Sequence, residues 1–228
     1  MTRLTTAPTA STDTTAYFSC TPSGAYTSAI DAVTNGTTLS TQTLTVPPPI
    51  VKMTVSGGGV DGTIEFDLRG DKAPVTVDNF LAYVNAGFYA DTIFHRIVPG
   101  FVVQGGGYGA ATSGTLPAPK AAPYPPIRLE LTGGSNVQWT AAMARTADDN
   151  SATSQFFFNL ADNHAVLDKS IGTDGYAVFA DVTASAAVIQ AIAAATPCVL
   201  VESAGQPLGD GSCVPIPNVS ITSAVQTQ

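Results

Sequence analysis

One stretch constrains the fold of this chain more than any other. Residues 92–107 read Thr-Ile-Phe-His-Arg-Ile-Val-Pro-Gly-Phe-Val-Val-Gln-Gly-Gly-Gly. The run alternates apolar and polar side chains as a strand does, turns at Pro99-Gly100, alternates again and stops at three glycines. It therefore predicts a hairpin. Arg96 is placed among Phe94, Ile97, Val98 and Phe101. A charge in such company is paired or used, because leaving it buried alone is costly. Gly105-Gly106-Gly107 lacks the Gly-Lys-Ser/Thr ending and the following helix of a phosphate-binding loop. Three glycines here point instead to close backbone approach or to positive φ.

The flanking segments extend the β pattern. From Ile50, the residues Val51, Met53 and Val55 alternate with Lys52, Thr54 and Ser56. Ile64, Phe66 and Leu68 then alternate with Thr63, Glu65 and Asp67, and Asp61-Gly62 is the expected turn between the two runs. Val77, Phe80, Leu81 and Val84 recur at helical spacing, with Thr76 as expected N-cap and Gly87 as the stop. Residues 108–126, rich in Gly, Ala and Pro, predict a surface loop. Further strands are expected at Ile127 to Leu131, Val137 to Ala144, Ser154 to Leu160, Tyr176 to Val182 and Val219 to Val225, and a turn at Asp162-Asn163-His164. A second helix is expected from a Ser185 cap to Ala195. About eight strands with two helices is too few helices for a parallel α/β fold. The expectation is a mainly β fold: a closed eight-stranded antiparallel barrel capped by two α-helices, an arrangement that leaves no sheet edge.

Two regions stand apart from the barrel pattern: an extension before the domain of residues 50–228 and a loop insertion within it. Residues 1–49 form a Thr/Ser-rich extension closed by three prolines. The extension reads either as flexible or as partly packed, with at least one of Ala16 to Cys20 and Leu39 to Val46 expected as a strand on the main domain and Asn35-Gly36 as a turn. A packed extension would also serve as an arm towards a partner, and limited proteolysis separates packed from loose. The second region is the insertion between Cys198 and Cys213. A disulfide there would close about fifteen residues and contribute roughly 3 kcal/mol in the chain-entropy model. The bridge is expected over free thiols, and it implies an oxidising compartment. Cys20 is the odd cysteine, free, buried or paired elsewhere.

Composition excludes several functions. The 228 residues carry a net charge of −8, which argues against a nucleic-acid or anionic-membrane surface. Only 11% of residues are charged, a balance that suits an exported bacterial protein. No run of eighteen apolar residues occurs, so no membrane-spanning helix is expected. The first thirty residues lack the pattern of a secretion signal, so the protein is cytoplasmic or its signal has been replaced. With no Cys-x-x-Cys and only two histidines, no metal site and no cofactor are expected. A serine-nucleophile motif is absent, and the carboxylates are scattered. His95 faces away from Arg96 by strand alternation and reads as structural, and His164 reads as solvated.

A second stretch echoes the first: Met143-Ala144-Arg145-Thr146, followed by Ser151-x-Thr153-Ser154-Gln155-Phe156-Phe157. Together with Phe94-His95-Arg96-Ile97-x-Pro99-Gly100-Phe101-x-x-Gln104-Gly105-Gly106, this resembles the cyclophilin family of peptidyl-prolyl cis–trans isomerases. The resemblance spans about residues 50–225, densest at 74–107, 139–160 and 175–182, and is absent from residues 1–49 and the cysteine insertion. It implies the same barrel and an activity on X–Pro bonds of peptides and unfolded chains, a folding helper of the periplasm or the secreted space. By resemblance Arg96 is the catalytic donor, Gln104 helps orient Arg96 or the substrate carbonyl, and Phe101, Val102, Phe157 and Leu167 line the proline pocket. Ala144, Arg145 and Gln155 border the groove for residues before proline. The family often has Trp or Phe where Val166 stands, which implies weak cyclosporin binding. Tyr176 replaces the His common in eukaryotic members and, like Arg145, resembles the bacterial branch. The rival expectation is a non-catalytic peptide-binding or chaperone module using the same groove. Monomer is the expected state of a closed barrel.

Overall fold

The structure, a computed structural model, describes residues 2–3, 18–19, 26–34, 37–170, 174–203, 206–207 and 210–228. Its principal sheet contains β1 (Ile50–Gly57), β2 (Val60–Leu68), β3 (Thr92–Val98), β4 (Val102–Gly105) and β5 (Thr140–Met143). These are followed by β6 (Phe156–Asn159), β7 (Val178–Asp181), β8 (Cys198–Leu200), β9 (Cys213–Pro215) and β10 (Ser220–Gln226). Eight of these close a ring in the order β3-β10-β1-β2-β7-β5-β6-β4, with β4 returning to β3. Every pairing in the ring is antiparallel. The remaining two, β8 and β9, form a hairpin laid against the Ile97 end of β3. The expected barrel is thus present, and closure satisfies the backbone donors and acceptors that an open edge would leave unpaired.

Alternation decides which side chains fill the barrel. Phe156 and Phe158 of β6 point inward, with Phe66, Phe94 and Phe179, and all are fully buried. Phe66 is the hub: its ring lies 5.1–6.4 Å from those of Phe80, Phe156, Phe158 and Phe179. Phe80 belongs to helix α1 (Pro74–Asn85), which plugs one opening. A second long helix, α3 (Ala186–Ala193), buries Ile189 and Ile192 at β2, and between them lies the one-turn helix α2 (His164–Leu167).

Several local expectations are corrected. The β1–β2 turn lies at Gly58-Gly59, both with positive φ, and Asp61-Gly62 belongs to β2, paired with Ser56 and Val55. Glycine tolerates that left-handed turn without Cβ strain, which moves the turn three residues upstream. Helix α1 starts at Pro74, where the missing N–H would have been unpaired anyway. Thr76 lies inside it, and its N–H and hydroxyl both donate to Glu130. Ser185 sits at the start of α3, but its hydroxyl accepts from the Glu65 N–H. Ile127 to Leu131 is no strand: Ile127 bridges only Ala152, and Leu131–Gly133 is a 3-10 turn. The strand expected from Val137 begins only at Thr140, because Trp139 has φ 64° and breaks the extended run.

In the extension, Tyr26–Thr34 and Thr37–Val46 pair with each other in a sheet of their own, and Thr2–Arg3 pairs with Phe18–Ser19. Leu39 to Val46 is therefore a strand, with residues 26–34 as its partner. The expected turn at Asn35-Gly36, and Cys20, lie outside the described residues. Cys198 and Cys213 are disulfide-bonded.

Candidate active site

The outward face of the β3–β4–β6 surface carries the polar residues that the inward face excludes. Arg96 stands opposite Gln104, and Gln104 stands opposite Phe157. The register slips by one residue between Phe94 and Arg96, a bulge at His95. Bulges bend a strand and re-aim side chains. Here Phe94 enters the core while Arg96 reaches the surface side, about one fifth exposed. His95 is buried against the Tyr108 ring at 4.5 Å. Burial pushes its pKa down to about 4, so the ring is neutral at physiological pH.

Arg96 faces a cavity of about 240 Å³. Its apolar wall is Phe101, Val102, Phe157 and Leu167, with Ala144 beside them, and Gln104, Arg145 and Tyr176 complete it. Phe101 is delivered by the Pro99-Gly100 turn, closed by its N–H donating to Val98. The Phe157 and Tyr176 rings meet edge-on at 5.5 Å, and Arg145 stacks over Tyr176 at 4.8 Å. The Arg145 side chain is almost fully buried, with Nε on the Gly175 carbonyl and Nη1 on Thr146 O and the Asp149 carboxylate. Two of the three guanidinium nitrogens are thus engaged in building the wall.

A polar chain crosses the mouth. Arg96 Nη1 donates to Gln104 Oε1 at 3.3 Å, and Gln104 Nε2 donates to Gln155 Oε1 at 3.0 Å. Gln155 lines the adjoining cavity of about 140 Å³, shared with Ala144, Arg145, Thr146, Ser151 and Thr153. The glycines behind this wall are required by packing. A Cβ on Gly106, whose φ is +81°, would lie within 3 Å of the Tyr89 and Phe156 rings.

Of the residues singled out in the sequence, Arg96, Phe101, Val102, Gln104, Ala144, Arg145, Phe157, Leu167 and Tyr176 meet at one cavity, and Gln155 at its neighbour. Val166 does not line either; it is 61% exposed beside Leu167. Two features were not anticipated. Asn136, Asn159, Asn163 and Asp168 form a buried polar network under α2. Asn136 Nδ2 donates to Asp168 and to the Leu167 carbonyl, Asn159 donates to Asn136, and Asn163 donates to Asn159 and to the Phe101 carbonyl. This network ties Leu167 to Phe101 across the cavity, and nothing in the spacing of four polar residues announces it. The other is Asp210, whose carboxylate accepts from Arg96 Nε at 2.9 Å and Nη2 at 2.6 Å. Among the described residues no group of three or more His, Cys, Asp or Glu is placed to hold a metal ion.

An always-charged donor fixed on the wall of an apolar cavity suits a reaction in which a nitrogen lone pair develops without covalent catalysis. Comparison with known proteins agrees. The family model for cyclophilin type peptidyl-prolyl cis-trans isomerases matches residues 50–225. The chain is 50% identical over 122 residues to peptidyl-prolyl cis-trans isomerase A of Dickeya dadantii, a match covering 53% of this chain and 60% of that one. It is 42% identical over 134 residues to peptidyl-prolyl cis-trans isomerase B of Escherichia coli, covering 58% and 78%. The matched part therefore spans about three fifths of the Dickeya protein's length. A cyclophilin type isomerase from Cryptosporidium parvum superposes with a TM-score of 0.55 at 19% identity, over 79% of this chain and 98% of that one. The same protein in the presence of the dipeptide Ala-Pro gives 0.53. The chain belongs to the cyclophilin-type peptidyl-prolyl cis–trans isomerase family.

Proposed function

We propose that this chain rotates X–Pro bonds of peptides and unfolded proteins, with Arg96 as the group that favours the twisted amide. The barrier to rotation, about 18–20 kcal/mol, comes from conjugation of the amide. Uncatalysed exchange takes roughly 10–100 s. In the twisted state the prolyl nitrogen pyramidalises and offers a lone pair that neither planar isomer has. A donor fixed where that lone pair appears binds the transition state better than the ground states. The proline ring occupies the apolar wall of Phe101, Val102, Phe157 and Leu167, while the preceding residues run past Ala144, Arg145 and Gln155. The observation that carries this reading is the Arg96 guanidinium held by Gln104 and Asp210 at the edge of an apolar cavity. The Ala-Pro dipeptide named with the Cryptosporidium structure supports it for the family.

The test is NMR exchange spectroscopy on a short Ala-Pro-Phe peptide with wild type and Arg96→Ala. A loss of about a hundredfold in turnover, some 2.7 kcal/mol, is expected, with peptide binding retained. Wild type that binds without accelerating exchange overturns the reading.

Three further readings accompany it. The exposed Val166 offers no aromatic surface, so cyclosporin binding is weak, and Val166→Trp should tighten it in a titration. The protein is a monomer, because barrel closure leaves no edge strand in the ring to pair with a second copy. It works in the periplasm or outside the cell, where the Cys198–Cys213 bridge persists.

A further inference from the structure

The insertion between the two cysteines reaches the site. It leaves the barrel after α3 and runs back as β8 and β9, with Cys198 opposite Pro215 and Leu200 opposite Cys213. Cys213 then pairs with Ile97, the residue next to Arg96 in β3. The Val201 N–H donates to the Ser212 carbonyl, and Val201 and Val214 pack with Ile93 in a small cluster of their own. The insertion is therefore fastened to the strand that carries Arg96 by backbone pairing, by apolar burial and by the disulfide.

Asp210 stands three residues before Cys213 on this platform. Its own carboxylate is oriented: Oδ1 accepts the Ser212 N–H at 2.9 Å, and Oδ2 accepts both Nε and Nη2 of Arg96. Pairing through Nε and Nη2 fixes the plane of the guanidinium. Of its five N–H groups two go to Asp210 and one to Gln104, which leaves one on Nη1 and one on Nη2. The carboxylate thus orients the donor without consuming it.

We propose that Asp210 is a positioning residue for Arg96, carried to the site by the disulfide-closed insertion. The proposal rests on Arg96 being the catalytic donor. A carboxylate beside a cationic catalyst has two opposing effects, since it fixes the side chain and also offsets its charge. The Asp210 side chain is 37% exposed, so water screens the charge effect, whereas the geometric constraint is not screened. Fixing therefore outweighs neutralising. A long arginine side chain without this partner samples several rotamers, and a donor mispositioned by an ångström loses much of its effect.

The experiment measures kcat and KM for peptide exchange in wild type, Asp210→Asn, Asp210→Ala, Arg96→Ala and the Arg96→Ala, Asp210→Ala double variant, each oxidised and after reduction. Asp210→Ala is expected to lower kcat about tenfold and leave KM within twofold. Asp210→Asn, which keeps one acceptor oxygen, should fall between it and wild type. Reduced wild type, checked by circular dichroism to be folded, should behave as oxidised Asp210→Ala, while reduction should change Asp210→Ala little. The double variant should be no slower than Arg96→Ala, because a positioning residue has nothing left to position. An unchanged or raised kcat in Asp210→Ala overturns the proposal, as does a further tenfold loss in the double variant. If Arg96→Ala keeps full turnover, the reading of Arg96 fails first and this proposal fails with it, so the two failures are distinguished.

Discussion

At the scale of single residues, adjacent positions on one strand are put to opposite uses. His95 and Arg96 are neighbours, but the bulge buries one and presents the other. The His95 Nδ1 has no hydrogen-bond partner among the described residues. Its pKa lies at about 4, chiefly because burial disfavours the charged ring. Above pH 6.5 the histidine is neutral in both folded and unfolded chains, and its contribution to stability is complete. As pH falls towards 4 the unfolded chain takes up a proton that the folded one refuses, so stability is lost, by about 3 kcal/mol at most. Urea midpoints between pH 4 and 7 should show a slope that His95→Phe flattens. An unchanged slope would mean that other groups set the pH dependence. Arg96 depends on the same bulge: two residues from Phe94, it would share the inward facing of Phe94 in a regular strand, and the extra residue turns it outward opposite Gln104.

At the scale of elements, helix α1 illustrates how a remote residue completes a local structure. The first turn of a helix leaves backbone N–H groups without partners. Here the Glu130 carboxylate accepts from the Thr76 N–H at 3.0 Å and its hydroxyl at 2.9 Å. A negative group at this end also meets the favourable end of the helix dipole. Glu130→Ala should cost about 1–2 kcal/mol, read as a lowered melting temperature, with Glu130→Gln losing less. Catalysis should be little altered, because α1 plugs the barrel while the cavity lies on the outward face of β3, β4 and β6. The one-turn helix α2 is the reverse case. Its position is dictated by the asparagine network beneath it, and it brings Leu167 to the cavity.

At the scale of the whole molecule, barrel and site are two faces of the same strands. Phe156 and Phe158 pack inside, and Phe157 between them lines the cavity outside. Loss of core packing therefore reaches the site through the backbone that both share. Phe66 touches four other rings at the barrel's centre, and truncating it leaves a void that rigid strands cannot close. Phe66→Ala should cost about 3–5 kcal/mol in chemical denaturation. A cost below 1 kcal/mol would show that the barrel repacks.

The strands and the cavity wall were legible in the sequence because both rest on period-two alternation. Val103 and Gln104, and Phe156 and Phe157, declare opposite faces by spacing alone, whereas Phe94 and Arg96, two residues apart, are separated by the bulge at His95, which residue type suggests and spacing does not. The same reading misplaced the β1–β2 turn, since several glycine-containing pairs competed there and only the register of paired strands chooses among them. It extended the run before Thr140 through Trp139, whose left-handed backbone no local propensity indicates. Glu130, Asp210 and the buried asparagines escaped it for one common reason. Each acts on a group 20 to more than 100 residues away, through hydrogen bonds that only chain closure brings within reach. Alternation, turn residues and the motif around Arg96 were thus determined by the sequence itself, because their physics is local. Which carboxylate holds Arg96, and which loop delivers it, was decided by tertiary structure, where distance along the chain no longer limits which charges meet.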